Sequence, residues 1–243
     1  MQIKKHNALI FVLFSIVMIL ALLVLCLLEA RCISPADRDA SASPYMTVVI
    51  DAGHGGEDGG AVGNGKVYEK DLNLDIAKTV GAYLTQNGFN VVYTRTEDIL
   101  LYDRNVNYKG RKKLLDLTAR LQIARKTENS IFVSIHMNSF PSGKYKGLQV
   151  YYSKNDKNSK IMAQTIQNNT MLHLQSENKR KPKEATSAIY LLDRLEKPAV
   201  LIECGFLSNA EDLALLTSAE YRQKLSLVFA ESIAQYLLDE SAS

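Results

Sequence analysis

Three histidines lie beyond residue 50 of this 243-residue chain, His54, His136 and His173. His54 sits in Asp51-Ala-Gly-His-Gly-Gly, directly after the apolar run Thr47–Ile50, and His136 ends the run Ser130-Ile-Phe-Val-Ser-Ile-His. Glu203 follows Ala199-Val-Leu-Ile in the same way. Ligands of open α/β sheets gather outside the carboxyl ends of strands, so the pattern brings two imidazoles and a carboxylate towards one edge. A carboxylate straight after four apolar residues is costly to bury unless a cation meets it. Glu69 is a fourth group, just after the loop Gly53–Gly65, whose glycines let the chain turn back towards His54. Two His and one Glu form a donor set of catalytic zinc, with a fourth position kept for water.

Each residue also has a plainer role open to it. His54 and His136 could be hydrogen-bonded structural histidines. Glu69 could simply favour the positive end of a helix, worth ~0.3–1 kcal/mol, and Glu203 could pair with a buried arginine. Glu57 and Asp58 read as solvated loop carboxylates, and His173, between Leu172 and Leu174, as structural. Cys204 beside a histidine could act as a nucleophile, but a small buried residue before tightly packed Gly205-Phe-Leu is the simpler reading. The glycine-rich loop lacks Gly-x-Gly-x-x-Gly spacing and Gly-Lys-Ser/Thr, and Glu57-Asp58 would repel a phosphate. The joint arrangement carries the metal reading.

Positioning these groups requires strands and helices in alternation. Candidate strands are Thr47–Ile50, Asn90–Thr94, Ile131–Ile135, Leu148–Tyr152, Ile189–Leu192 and Ala199–Ile202. Leu72, Ile76, Val80 and Leu84 recur every fourth residue and predict a helix over Glu69–Gln86, closed by Asn87-Gly88. Further helices are expected over Leu117–Thr127, over Ser159–Leu174 with Ile161, Ile166 and Leu172 inward, and to Leu238 with Leu225, Phe229, Ile233 and Leu237 on the sheet. Ser208-Asn-Ala-Glu211 and Thr217-Ser-Ala-Glu220 read as capping boxes. The link from Ile135 to Leu148 is too short for a parallel crossover and suits an antiparallel neighbour. The expected fold is therefore α/β, a single domain with a mixed, mostly parallel sheet of about six strands flanked by helices.

Between Ala8 and Leu28 the only polar side chain is Ser15, and Lys4 and Lys5 precede the run. About 20 apolar residues suffice to cross a bilayer. The expectation is an amino-terminal membrane anchor or signal segment over residues 1–33, with the remainder of the chain exported. A Ser-, Ala- and Pro-containing linker at 34–45 leads to a catalytic domain at 46–238 and a tail at 239–243. A net charge of +3 indicates no nucleic-acid surface, and three cysteines make no disulfide framework. The basic stretches Arg104–Lys113 and Lys179–Lys183 read as solvated surface, with contact to an anionic polymer as the alternative.

Taken together, Val48-Val-Ile-Asp-Ala-Gly-His-Gly-Gly56, Glu69-Lys-Asp-Leu-Asn-Leu74, Thr94-Arg95, Ser134-Ile-His-Met-Asn138 and Leu201-Ile-Glu-Cys-Gly-Phe-Leu-Ser-Asn209 resemble the zinc-dependent N-acetylmuramoyl-L-alanine amidases. The resemblance implies Zn2+ as cofactor, His54, Glu69 and His136 as its ligands, Glu203 as catalytic base, and peptidoglycan as substrate. It departs from the family at Ala52, where proline is frequent, and at Arg125, where asparagine is frequent. One apolar segment followed by one domain, with Ala188-Ile-Tyr-Leu-Leu192 before Pro198, is similar to the germination-specific amidases of spore formers, which prepare cortex peptidoglycan for muramic-δ-lactam formation. The implied location is membrane-anchored, with the domain facing cell wall or cortex. Competing readings are a non-catalytic peptidoglycan-binding or regulatory protein of the same fold, and a zinc hydrolase of another wall amide. The sequence names no substrate-binding residue and leaves an activating protein partner open.

Overall fold

Strand β1 (Thr47–Ala52) alternates its side chains so that Val48, Ile50 and Ala52 face one side of a sheet and Val49 and Asp51 the other. The computed structural model describes residues 18, 47–103 and 110–241. In it β1 lies between β4 (Asn90–Tyr93) and β5 (Ser130–Asn138), and β8 (Ala199–Phe206) follows β5, all four parallel. β6 (Gln149–Tyr152) runs antiparallel to β8, and β7 (Lys183–Glu184) pairs with β6 in parallel at the far edge. The order is β4-β1-β5-β8-β6-β7, a mixed and mostly parallel sheet. A two-stranded ribbon of β2 (Val62–Gly63) and β3 (Val67–Tyr68) stands apart.

Helices cover both faces of this single α/β domain. Against Ile50, Ile131, Val133, Ile135 and Ile202 pack α1 (Glu69–Gln86), α3 (Asn158–His173), α5 (Ala210–Thr217) and α6 (Ala219–Ser241). On the other face Val49, Phe132 and Leu201 meet α2 (Lys112–Lys126) and the short α4 (Tyr190–Arg194). Leu225, Phe229, Ile233 and Leu237 of α6 are fully enclosed, and they pack chiefly on α1 and α3 rather than directly on the strands.

Several expectations are corrected. Ile189–Leu192 is not a strand: Tyr190–Arg194 is helical, with the Arg194 guanidinium 3.9 Å above the Tyr190 ring four residues back. A short apolar run cannot be divided between helix and strand by periodicity. The sixth strand is the exposed pair Lys183–Glu184, which carries no apolar signal. β6 does run opposite to β5, but β8 lies between them. On α3 only Ile166 of the three expected residues is buried, while Ile161 and Leu172 are exposed. Polar residues complete that buried stripe. Gln167 accepts from Val150 N (2.9 Å) and donates to Leu148 O (3.2 Å), and Ser159 Oγ accepts from Ala199 N (3.0 Å). The cap of α5 is Asn209, whose side chain accepts from Glu211 N and Asp212 N, whereas Ser208 Oγ accepts from Phe140 N. Arg125 donates to the Arg194 carbonyl at 2.8 Å and so ties α2 to α4.

Among the described residues no helix is long and apolar enough to cross a membrane. The expected anchor (Met18 apart), the linker and most of the basic stretch at 104–113 lie outside the described residues.

Candidate metal centre

The second face of the sheet is apolar low down and polar at its carboxyl end. Val49 gives way to Asp51 on β1, Phe132 to Ser134 and His136 on β5, and Leu201 to Glu203 on β8. Register sets His136 beside Glu203, and Glu203 beside Gln149. His54 emerges just past β1, and Glu69 arrives at the first turn of α1.

These residues converge. One donor atom each from His54, Glu69 and His136 lies within 4.8 Å of the others. Glu69 Oε1 is 3.2 Å from His54 Nε2 and 2.9 Å from His136 Nδ1. The imidazoles meet edge to face, 5.0 Å between centroids. Donors at zinc–ligand bond lengths in a tetrahedron stand roughly 3.3 Å apart, close to the 3.2 Å and 2.9 Å that separate Glu69 Oε1 from the two imidazoles. The surrounding backbone leaves room only for these rings: a Cβ on Gly53 would collide with the His136 imidazole, and one on Gly60 with Glu69.

The loop is held in place on several sides. Glu69 N donates to Ala61 O (2.9 Å) while Ala61 N donates to Glu69 Oε2 (2.8 Å), and Met137 N donates to Glu69 Oε1 (3.0 Å). His54 has the left-handed φ of 61°, unusual for a side chain of its size. Two buried arginines grip the carbonyls around it. Arg95 donates to Ala52 O (2.8 Å) and Gly53 O (2.9 Å), and Arg120 to Ala52 O (2.7 Å) and His54 O (2.6 Å). Arg120 is fixed by Asp116 and Asp51, each at 2.7 Å. Burial alone would raise the Asp51 pKa, but Arg120 and the hydroxyls of Ser134 and Thr94 hold it at about 2. Asn73 Nδ2 adds a bond to Gly53 O at 3.1 Å.

Charge follows the same geometry. Burial would raise the Glu69 pKa, yet His136 and His54 hold it well below the usual carboxylate range. Burial would lower that of His54, but bonding to Asp58 and Glu69 pushes it up to about 9. Glu203 is pushed up to about 7 by burial, only partly offset by His136. Its Oε2 is enclosed with no hydrogen-bond partner among the described residues.

Sequence reasoning misread Asp58. Its Oδ2 stands 2.9 Å from His54 Nδ1, an ion-pair contact outside hydrogen-bonding geometry, so it faces the imidazole and is not merely solvated. Glu57 does lie at the surface, paired with Lys112 at 2.7 Å. Among the described residues Glu203 meets no arginine; the buried guanidinium of Arg120 serves Asp51 and Asp116. His173 is exposed at the end of α3, away from the centre, and Cys204 is a buried thiol on the opposite face. Asp51 also went unnoticed, although it follows an apolar strand just as Glu203 does. Asp116 and Arg120 carried a further signal in their i,i+4 spacing.

Residues 48–235 match the family described as N-acetylmuramoyl-L-alanine amidase. The chain belongs to that family. The amidase is 37% identical over 194 residues to the germination-specific N-acetylmuramoyl-L-alanine amidase of Bacillus subtilis, covering 79% of this chain and 80% of that protein. Among solved structures, the CwlD amidase from Clostridioides difficile, in complex with the GerS lipoprotein, superposes with a TM-score of 0.76 at 36% identity, covering 80% of this amidase and 100% of that chain. The amidase AmiC2 of Nostoc punctiforme follows with a TM-score of 0.67 at 34% identity over 79% and 97% of the two chains.

Proposed function

We propose that this amidase hydrolyses the amide between N-acetylmuramic acid and L-alanine in peptidoglycan, with zinc held by His54, Glu69 and His136 and Glu203 as the catalytic base. The observation that supports it is the meeting of two imidazoles and one carboxylate beside Glu203, whose Oε2 is enclosed with no hydrogen-bond partner among the described residues. When bound, zinc supplies Lewis-acid polarisation of the scissile carbonyl and acidification of water. Glu203, with a pKa near 7, is suited both to take a proton from the attacking water and to return it to the departing alanine nitrogen. Asp58, Arg95 and Arg120 hold His54 in position throughout.

Similarity to germination-specific relatives supports a role in spore cortex, in the step that leads to muramic-δ-lactam. A lipoprotein partner, as in the neighbouring complex, and anchoring through residues 1–33 with domain 46–238 outside the cytoplasm complete the reading. Incubating the zinc-loaded protein with peptidoglycan should release new alanine amino termini. New termini at a peptide cross-link would instead favour a hydrolase of another wall amide, and no new termini at all a non-catalytic wall-binding protein.

Two further outcomes test the donor set. His54→Ala and His136→Ala should each yield folded protein depleted of zinc by elemental analysis; full occupancy in both would falsify the assignment. Because His54 keeps a proton up to about pH 9 without metal, binding must displace it. Zinc affinity in chelator competition should rise about tenfold per pH unit for that proton as pH climbs towards 9. An affinity flat over that range would show that His54 carries no proton there for the metal to displace.

A further inference from the structure

The row of side chains that contains His136 and Glu203 does not end there. Gln149 is the register partner of Glu203 on β6, and therefore faces the same way. It is buried, its Nε2 donates to Lys181 O at 2.7 Å, and its Oε1 has no partner among the described residues. Arg180 comes one residue before Lys181, whose carbonyl holds Gln149. Its guanidinium carbon lies 5.0 Å from the Phe206 ring centroid and 5.8 Å from that of Tyr145, and its Nε donates to Lys146 O at 3.2 Å. Phe206 stands three residues beyond Glu203 on the same strand, and Tyr145 stacks edge-on with the half-exposed Phe140 at 4.8 Å. Two neighbouring cations are engaged: Lys146 pairs with Glu211, and Lys179 donates to Ser176 O. Among the described residues no carboxylate pairs with Arg180. A guanidinium fork lying over two aromatic rings, with its Nε tied to a carbonyl, is restrained for bidentate carboxylate recognition.

Resting on the amidase reading, we propose that Arg180, on its Phe206–Tyr145 platform, binds a free carboxylate of the substrate's peptide beyond the first residue, and that Gln149 Oε1 accepts a peptide N–H on the way. Charge selects the peptide over the glycan, because N-acetylated sugars are uncharged whereas the stem peptide is acidic. Reach agrees: each extended peptide residue spans about 3.3–3.6 Å, so the second or third residue from the scissile amide arrives over Phe206.

The test compares muramoyl-peptides whose second-residue carboxylate is free or amidated, with the full-length, zinc-loaded chain. Wild type should prefer the free acid about tenfold in kcat/KM. Arg180→Met should bring that ratio to within about twofold of unity, and Arg180→Lys should fall between. Calorimetric binding of both peptides to Glu203→Gln, with and without Arg180→Met, gives the same ratio without turnover. It therefore separates failure of this subsite from failure of the amidase reading. A wild-type ratio of one, or a ratio that Arg180→Met leaves intact in both assays, overturns the proposal.

Discussion

Replacing Glu203 with glutamine should abolish turnover while leaving zinc bound and the domain folded. Glutamine keeps the size and one acceptor of the side chain but cannot carry a proton from water to the leaving nitrogen. Loss of a general acid–base group lowers rates by roughly 10²–10⁴-fold, so kcat on muramoyl-peptide should drop by that amount with KM nearly constant. The pH profile should show the same group. Burial pushes its pKa up to about 7 in the metal-free protein and bound zinc favours the carboxylate, so wild-type activity should decline as pH falls below a midpoint lower than 7 and Glu203 takes up a proton. The substitution should also stabilise the metal-free protein at alkaline pH. A carboxyl whose folded pKa is raised costs nothing below its unfolded value, near 4.3, and destabilises increasingly as pH climbs to 7 and above. Metal-free Glu203→Gln should thus melt higher than metal-free wild type at pH 8, and equally at pH 4. Near wild-type turnover in this variant would remove Glu203 from the chemistry.

The largest structural effect is expected at Arg120. Methionine there fills most of the space but removes the guanidinium that meets Asp51 and Asp116, both buried. Breaking a buried ion pair from one side typically costs ~3–5 kcal/mol, because the remaining charges lose their partner. For a domain of this size that lowers Tm by roughly 6–20 °C. Zinc affinity should drop as well, since Arg120 also holds the carbonyls of Ala52 and His54. Arg120→Lys should rescue little, as one ammonium cannot serve two carboxylates and two carbonyls in fixed directions. Unchanged Tm in the methionine variant would show that the network is not what holds the loop.

Much of this was legible in the residues. Helix α1 was predicted with the bounds observed, because Leu72, Ile76, Val80 and Leu84 repeat at helical spacing without interruption. The carboxyl ends of β1, β5 and β8 could be found because each polar residue of interest directly follows an apolar run. Pattern failed where buried polar groups do the packing, as with Gln167 and Ser159 on α3, and where an element is short or charged, as at Tyr190–Arg194 and Lys183–Glu184.

By itself, then, the sequence determined the alternation of strands and helices, the identity of His54, Glu69, His136 and Glu203 as the residues worth watching, and the family. Periodicity and strand-end placement are local properties, and one chain displays them. Tertiary structure alone decided that β8 enters between β5 and β6, so that Glu203 stands beside His136. It also decided that Asp58 faces His54, and that Arg95 and Arg120 reach across dozens of residues to the carbonyls of Ala52, Gly53 and His54, sharing that of Ala52. Those contacts depend on direction and distance between segments far apart in the chain, which no local spacing encodes.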